Sequence, residues 1–190
     1  MITFVLSEIY GKTPEFLTLC AKLPGQVVSI SPYQDEHLIF DDEQFAYQHF
    51  IENVGVEGYC HVLKSRIEKA HPTIAGQPIN LVGFSVGASA IWQMCLLNPQ
   101  IEVNKAMLFY GAQIRHLLDD SPRVACHLIL PREEAHFSVD ELSSALKTFQ
   151  RHILERSHYL HGFMNKCSSN FNEQGYQHYL GKIANLLSAQ

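Results

Sequence analysis

The chain has 190 residues, 46% of them apolar and 17% charged, with a formal net charge of −5 at pH 7. That length is most simply one domain, 1–190, able to bury about 70% of its unfolded surface. The negative balance and the scattered basic residues argue against a nucleic-acid binder, because no cluster lines up against a run of phosphates. No apolar run approaches the ~20 residues of a membrane span, and residues 1–8 lack the basic region and long apolar core of a signal segment. Cys20, Cys60, Cys95, Cys126 and Cys167 are odd in number and form no CxxC pair. Free thiols in a cytoplasmic protein are the expectation.

A strand over 2–6 comes first. Thr13-Pro14-Glu15 then opens a helix through about Leu23, with Pro14 in the first turn, where its missing N–H is not needed. Gly25 breaks that helix, and 27–30 reads as the second strand. Over 41–70, Phe45, Phe50, Ile51 and Val54, then Val62, Leu63 and Ile67, recur at three- and four-residue intervals. Gly55 and Gly58 divide this stretch into two helices, and Pro72, Gly76 and Pro78 end it. The stretch suits either sheet cover or a modest cap. The third strand, 79–84, runs into Gly83-Phe84-Ser85-Val86-Gly87, and a helix follows over 88–97. Strands over 106–110 and 124–130 come next. Ser138 caps a helix through Phe149 or beyond, with Glu141 at the capping-box position. A last helix, 172–187, carries Tyr176, Tyr179, Leu180, Ile183 and Leu187 on one face.

About five mainly parallel strands alternating with helices predict an α/β three-layer sandwich without internal repeats. A strand order of second-first-third-fourth-fifth places the first and third strands at the topological switch point. Ser7-Glu8-Ile9 and Ser85 then share one crevice. Gly-x-Ser-x-Gly at a strand-to-helix junction is the setting of the nucleophile elbow of α/β-hydrolases, where only small residues fit two positions either side of the serine.

A serine hydroxyl needs a base to take its proton. Of the eleven histidines, His161 lies in a loop-like segment and is followed by Gly162, which lets the loop turn the imidazole over the sheet edge. His152 and His178 fall in helical stretches. His152, His158 and His161 have no carboxylate or Cys at ligand spacing, so no metal site is expected. Tyr10, Tyr33 and Tyr110 stand near strand ends, where they either line a pocket or cover the sheet edge.

Three segments together resemble the dienelactone hydrolase family of the α/β-hydrolase superfamily: Ser7-Glu8-Ile9-Tyr10-Gly11, Gly83-Phe84-Ser85-Val86-Gly87 and His161-Gly162-Phe163-Met164-Asn165. Ser85 stands where founding members carry Cys. The resemblance runs from Ile2 to the last helix and implies a sheet shortened by the family's one or two early strands. It implies a serine esterase acting on a small-molecule ester, lactone or thioester, with no cofactor and no metal, as a monomer or homodimer away from membranes. Ser85 would be the nucleophile and His161 the base. The backbone N–H groups of Ile9 and Val86 would form the oxyanion hole, and Glu8 and Tyr10 would stand beside the substrate.

The departure is the acid. Ala135 occupies the position of the family's Asp, and an alanine cannot orient an imidazole. Glu134, one residue away, is the nearest substitute, while Glu133 is less well placed and Asp140 belongs to the next helix. The alternative is a non-catalytic α/β-hydrolase-like binding protein with a degraded triad.

Overall fold

Two strands, β1 (Ile2–Leu6) and β3 (Ile79–Phe84), are buried at every residue. That is the mark of central strands in a parallel sheet covered on both faces. The computed structural model describes every residue except 75, 76, 99, 189 and 190, and the backbone alone for 71–74. Its sheet is completed by β2 (Gln26–Ile30), β4 (Val103–Phe109), β5 (Cys126–Leu130) and β6 (Ile153–Arg156). All neighbours pair in parallel in the order β2-β1-β3-β4-β5-β6.

Alternate side chains along each strand feed two separate cores. Phe4, Leu6, Leu81, Leu108 and Leu128 face one side, where they meet α2 (Glu43–Asn53), α3 (Gly55–Ile74), α4 (Val86–Leu97) and α5 (Val139–Lys147). Val5, Val82, Phe84, Phe109 and Ile129 face the other, against α1 (Pro14–Ala21) and α6 (Glu173–Ser188). A fully buried aliphatic or Phe side chain contributes about 1.5–3 kcal/mol relative to exposure, so these two layers hold the sheet rigid. Helix starts follow the capping residues. Thr13, Asp42 and Ser138 accept from the N–H of Phe16, Phe45 and Glu141 at 3.2, 2.9 and 3.2 Å, each such cap stabilising by about 1 kcal/mol. No described helix is long and apolar enough to cross a membrane.

The strand order matches expectation and extends it by a sixth strand. β6 has only four residues, Ile153-Leu154-Glu155-Arg156, none of them fully buried, so an edge strand this short and polar leaves no periodicity to read. Consequently α5 stops at Lys147, and His152 lies in the turn before β6 rather than in a helix. The break in the 41–70 stretch falls between Asn53 and Gly55, while Gly58 lies inside α3. Helix α3 also continues past Pro72 to Ile74. A proline so near a helix end forfeits one backbone bond and has no long helix beyond it to break. The expected terminator Gly76 lies outside the described residues. β4 begins earlier than expected, at Val103, and Tyr110 falls just beyond its end with a positive φ of 39°.

Candidate active site

β3 ends and α4 begins within a single residue, Ser85, whose backbone is forced to φ 53° and ψ −116°. Such a conformation costs a non-glycine residue about 1–3 kcal/mol and persists only where packing over-determines it. The flanking glycines show the packing. A Cβ on Gly83 would lie 2.7 Å from the Ala88 nitrogen, and one on Gly87 would lie 2.7 Å from the Ser7 carbonyl oxygen. The elbow is tight because α4 rises directly beside its own strand and the end of β1.

Across the carboxyl edge of the sheet, the loop after β6 carries His161. Its Nε2 lies 2.9 Å from Ser85 Oγ, and its Nδ1 lies 2.6 Å from Glu134 Oε1. An ionised carboxylate only accepts hydrogen bonds. The proton therefore sits on Nδ1, leaving the Nε2 lone pair to accept from the serine hydroxyl. Burial pushes the His161 pKa down, but the Glu134 hydrogen bond and charge, with the charges of Glu8 and Glu43, outweigh it and leave the pKa raised. Tyr110 packs on the imidazole with ring centroids 4.8 Å apart, and Asn170 Nδ2 donates to the His161 carbonyl at 3.0 Å.

Glu134, and not Ala135, meets the histidine. The other two carboxylates considered are engaged elsewhere. Glu133 pairs with Arg132 Nη2 at 2.5 Å and Asp140 with Arg156 Nη1 at 3.0 Å. Glu134 is also the more secluded, its side chain 12% exposed against 63% for Glu133.

Ile9 and Val86 line the same cleft as Ser85, Glu134 and His161, a space of about 840 Å³. Val86 is the first residue of α4, whose leading N–H groups have no partner within the helix. Among the described residues neither the Val86 nor the Ile9 N–H meets a protein acceptor. Two such donors and a helix N-terminus are the groups that stabilise charge developing on a carbonyl oxygen.

Glu8 is 8% exposed and lies against the site. Tyr110 Oη donates to its Oε1 at 2.7 Å and Asn165 Nδ2 to its Oε2 at 2.9 Å. Burial raises its pKa, with the His161 charge and the two hydrogen bonds opposing. Of the three strand-end tyrosines, Tyr10 lines the cleft beside Glu43, whereas Tyr33 and Tyr110 support its walls from behind. From the sequence Tyr110 is only pocket lining or sheet-edge cover and Asn165 only part of the histidine segment, so neither points to its hydrogen bond with Glu8. The available signal was Glu8 itself, since a carboxylate on a buried strand end requires donors. Of the two roles open to the 41–70 stretch, Leu63 and Ile67 of α3 meet sheet cover, while Tyr47 of α2 lines the cleft.

No protein-family model matches the chain. The uncharacterized protein YczH of Bacillus subtilis (strain 168) is 29% identical over 182 residues, spanning 90% of this chain and 84% of its own. Among solved structures, Est1E from Butyrivibrio proteoclasticus with ferulic acid bound superposes with a TM-score of 0.69 at 9% identity, over 98% of this chain and 87% of that one. XC6422 from Xanthomonas campestris, an α/β serine hydrolase without a lid, gives 0.67 at 14% identity, over 100% and 84%. The dienelactone hydrolase-like promiscuous phosphotriesterase P91 from metagenomic libraries gives 0.63 at 10%, over 98% and 85%. At these identities the likeness is one of architecture, and with the parallel sheet and the serine elbow it identifies the chain as having the α/β-hydrolase fold.

Proposed function

We propose that the protein is a serine hydrolase that cleaves a carboxylic ester, lactone or thioester through an acyl-enzyme, in the manner of the dienelactone hydrolases that its three segments resemble. The observation carrying this reading is the unbroken chain from Glu134 through His161 to Ser85, at 2.6 and 2.9 Å. In the first step Ser85 Oγ bonds to the substrate carbonyl carbon while its proton passes to His161 Nε2. Charge on the carbonyl oxygen is received by the N–H groups of Ile9 and Val86. Glu134 holds Nδ1–H and stabilises the imidazolium. Collapse of the tetrahedral intermediate breaks the bond to the leaving group, which takes the proton from Nε2. Water then attacks the acyl-enzyme, with His161 as base, and Ser85 regains its proton as the acid departs.

The rival reading, a binding protein with a degraded triad, rests on Ala135 and on the missing early strands. Glu134 at 2.6 Å from Nδ1 supports the enzyme on the first of these. The serine hydrolase XC6422 and the dienelactone hydrolase-like P91 support a hydrolase at the coarse level. A fluorophosphonate probe is expected to label the protein at Ser85, and Ser85→Ala is expected to abolish the labelling. Folded protein that stays unlabelled would sink the proposal.

A further inference from the structure

Ile9 presents its N–H from a loop rather than from a helix or strand, so the surroundings must set the peptide planes of that loop. Three consecutive carbonyls are held. The Glu8 carbonyl accepts from the Gly11 N–H at 3.3 Å and from Ser7 Oγ at 3.2 Å. The Ile9 carbonyl accepts from the Tyr33 hydroxyl, and the Tyr10 carbonyl accepts from the Phe40 N–H at 3.1 Å. The last two donors belong to one segment, residues 31–40, which leaves β2 and crosses the turn after β1.

That segment is pressed onto the turn. It forms an antiparallel bridge between Gly11 and Ile39. A Cβ on Gly11, whose φ is +79°, would lie 2.3 Å from the Leu38 carbonyl oxygen, so only glycine lets the two chains pass. Glu36 ties it down on both sides, to Lys12 Nζ at 2.7 Å and to Arg66 of α3. Tyr33 is 3% exposed, its N–H accepted by Ser31 Oγ at 3.2 Å, and its ring lies edge-on to Phe40 and His49 at 5.4 and 5.3 Å.

We infer that residues 31–40 are a strap for the oxyanion loop, with Tyr33 as a positioning residue that fixes the peptide between Ile9 and Tyr10 and so limits rotation at Ile9. The inference rests on the hydrolase reading of the Ser85 cleft. Peptide units are planar, so holding the carbonyl on each side of Ile9 leaves its φ and ψ nothing to turn against. The Ile9 N–H shares its plane with the Glu8 carbonyl, which Gly11 and Ser7 hold, and the tyrosine hydroxyl holds the plane that follows. Tyr33 thus acts through Ile9 and never touches the reacting atoms.

Tyr33→Phe keeps the ring and removes only the hydroxyl. The Ile9 amide order parameter, measured by nitrogen-15 relaxation, is expected to fall from the rigid range near about 0.85 toward about 0.6. For p-nitrophenyl butyrate, kcat should fall about tenfold with KM unchanged within about twofold, less than the roughly hundredfold of removing a donor outright. Affinity for butylboronic acid, whose adduct places an oxygen in the oxyanion hole, should weaken by the same factor as kcat. Glu36→Gln, which unties the strap's ion pairs alone, should give the same signature at smaller amplitude.

An Ile9 amide as ordered in Tyr33→Phe as in the unmodified protein overturns the inference. So does a loss of kcat and KM together with a fall in melting temperature, which is the behaviour of a merely structural tyrosine. The two proposals fail separately. If fluorophosphonate never labels Ser85 but the Ile9 amide still loosens in Tyr33→Phe, the hydrolase reading and the oxyanion role fall, and only the restraint of Ile9 by Tyr33 stands. Labelling with an unchanged Ile9 amide has the opposite result.

Discussion

Among the described residues two serine–histidine contacts of nearly equal length lie at opposite ends of the strands. Ser85 Oγ lies 2.9 Å from His161 Nε2 at the carboxyl ends of the strands, and Ser121 Oγ lies 2.8 Å from His152 Nε2 at the amino ends. By distance alone both are nucleophile–base pairs. They differ at the other ring nitrogen. His161 Nδ1 faces a carboxylate, whereas His152 Nδ1 lies 3.2 Å from the Cys126 N–H, which can only donate. His152 therefore carries its proton on Nε2 and donates to Ser121, so it has no lone pair left to take a serine proton. Its ring packs on Trp92 and Phe149 at 4.9 and 6.2 Å, and its task is to satisfy the first amide of β5. The charges differ as well. Glu134 leaves the His161 pKa raised despite burial, while burial and Arg151 lower that of His152. A catalytic dyad is thus decided by its third group.

The sharpest test sets the two serines against each other. Ser85→Ala should lower kcat for an activated ester by about 10⁶-fold. Ser121→Ala should leave kcat within about twofold and cost about 1 kcal/mol of stability from one lost hydrogen bond. A loss of activity at Ser121 would overthrow the tautomer argument.

Next in size is the third group. Glu134→Gln should lower kcat by about 10⁴-fold, because an amide can no longer hold the Nδ1–H tautomer. Glu133→Gln, whose native partner is Arg132, should have little effect on the same rate. Equal effects from the two would remove Glu134 from its role.

The acid limb of the pH profile follows. The base must be neutral, so kcat/KM should fall as pH drops through a His161 pKa above the ordinary 6.5. In Glu134→Gln, whatever activity remains should show that limb moved to lower pH, since the groups that raised the pKa are reduced. A limb that stays in place would assign the titration to another group.

The smallest effect belongs to His152. Its folded pKa lies below its ordinary 6.5, so between the two values the unfolded chain holds a proton that the folded chain does not. Its contribution to stability is complete above about pH 6.5 and is lost as pH falls below it. His152→Asn keeps an acceptor for the Cys126 amide without the titration. The fall in urea midpoint from about pH 7.5 to about pH 5.5 should therefore be smaller in the variant than in the unmodified protein.

What could be read in advance follows the range of the interactions involved. The Gly-x-Ser-x-Gly elbow is local: strand, turn and helix lie within the residues from Ile79 to Leu97, and glycines at both flanking positions meet the close approach seen at Gly83 and Gly87. His161 was legible through its glycine and its place after the strands. The acid was legible only as a ranking, Glu134 ahead of Glu133 and Asp140, because the three share one short segment. The choice among them depends on Arg132 and Arg156 drawing two away. Likewise β6 owes its existence to pairing with β5 and not to any pattern of its own.

The residues alone therefore determined the alternation of strands and helices and the serine turn, while the strand order was an expectation from doubly wound sheets and His161 one from its loop and the family resemblance. The first two follow from periodicity and turn chemistry. Only the tertiary structure decided which carboxylate reaches His161, which serine–histidine contact has a free lone pair, and which carbonyls the 31–40 segment holds. Each of those is a contact between residues far apart in the chain. Its geometry exists only after the sheet and its two cores have set the loops against one another.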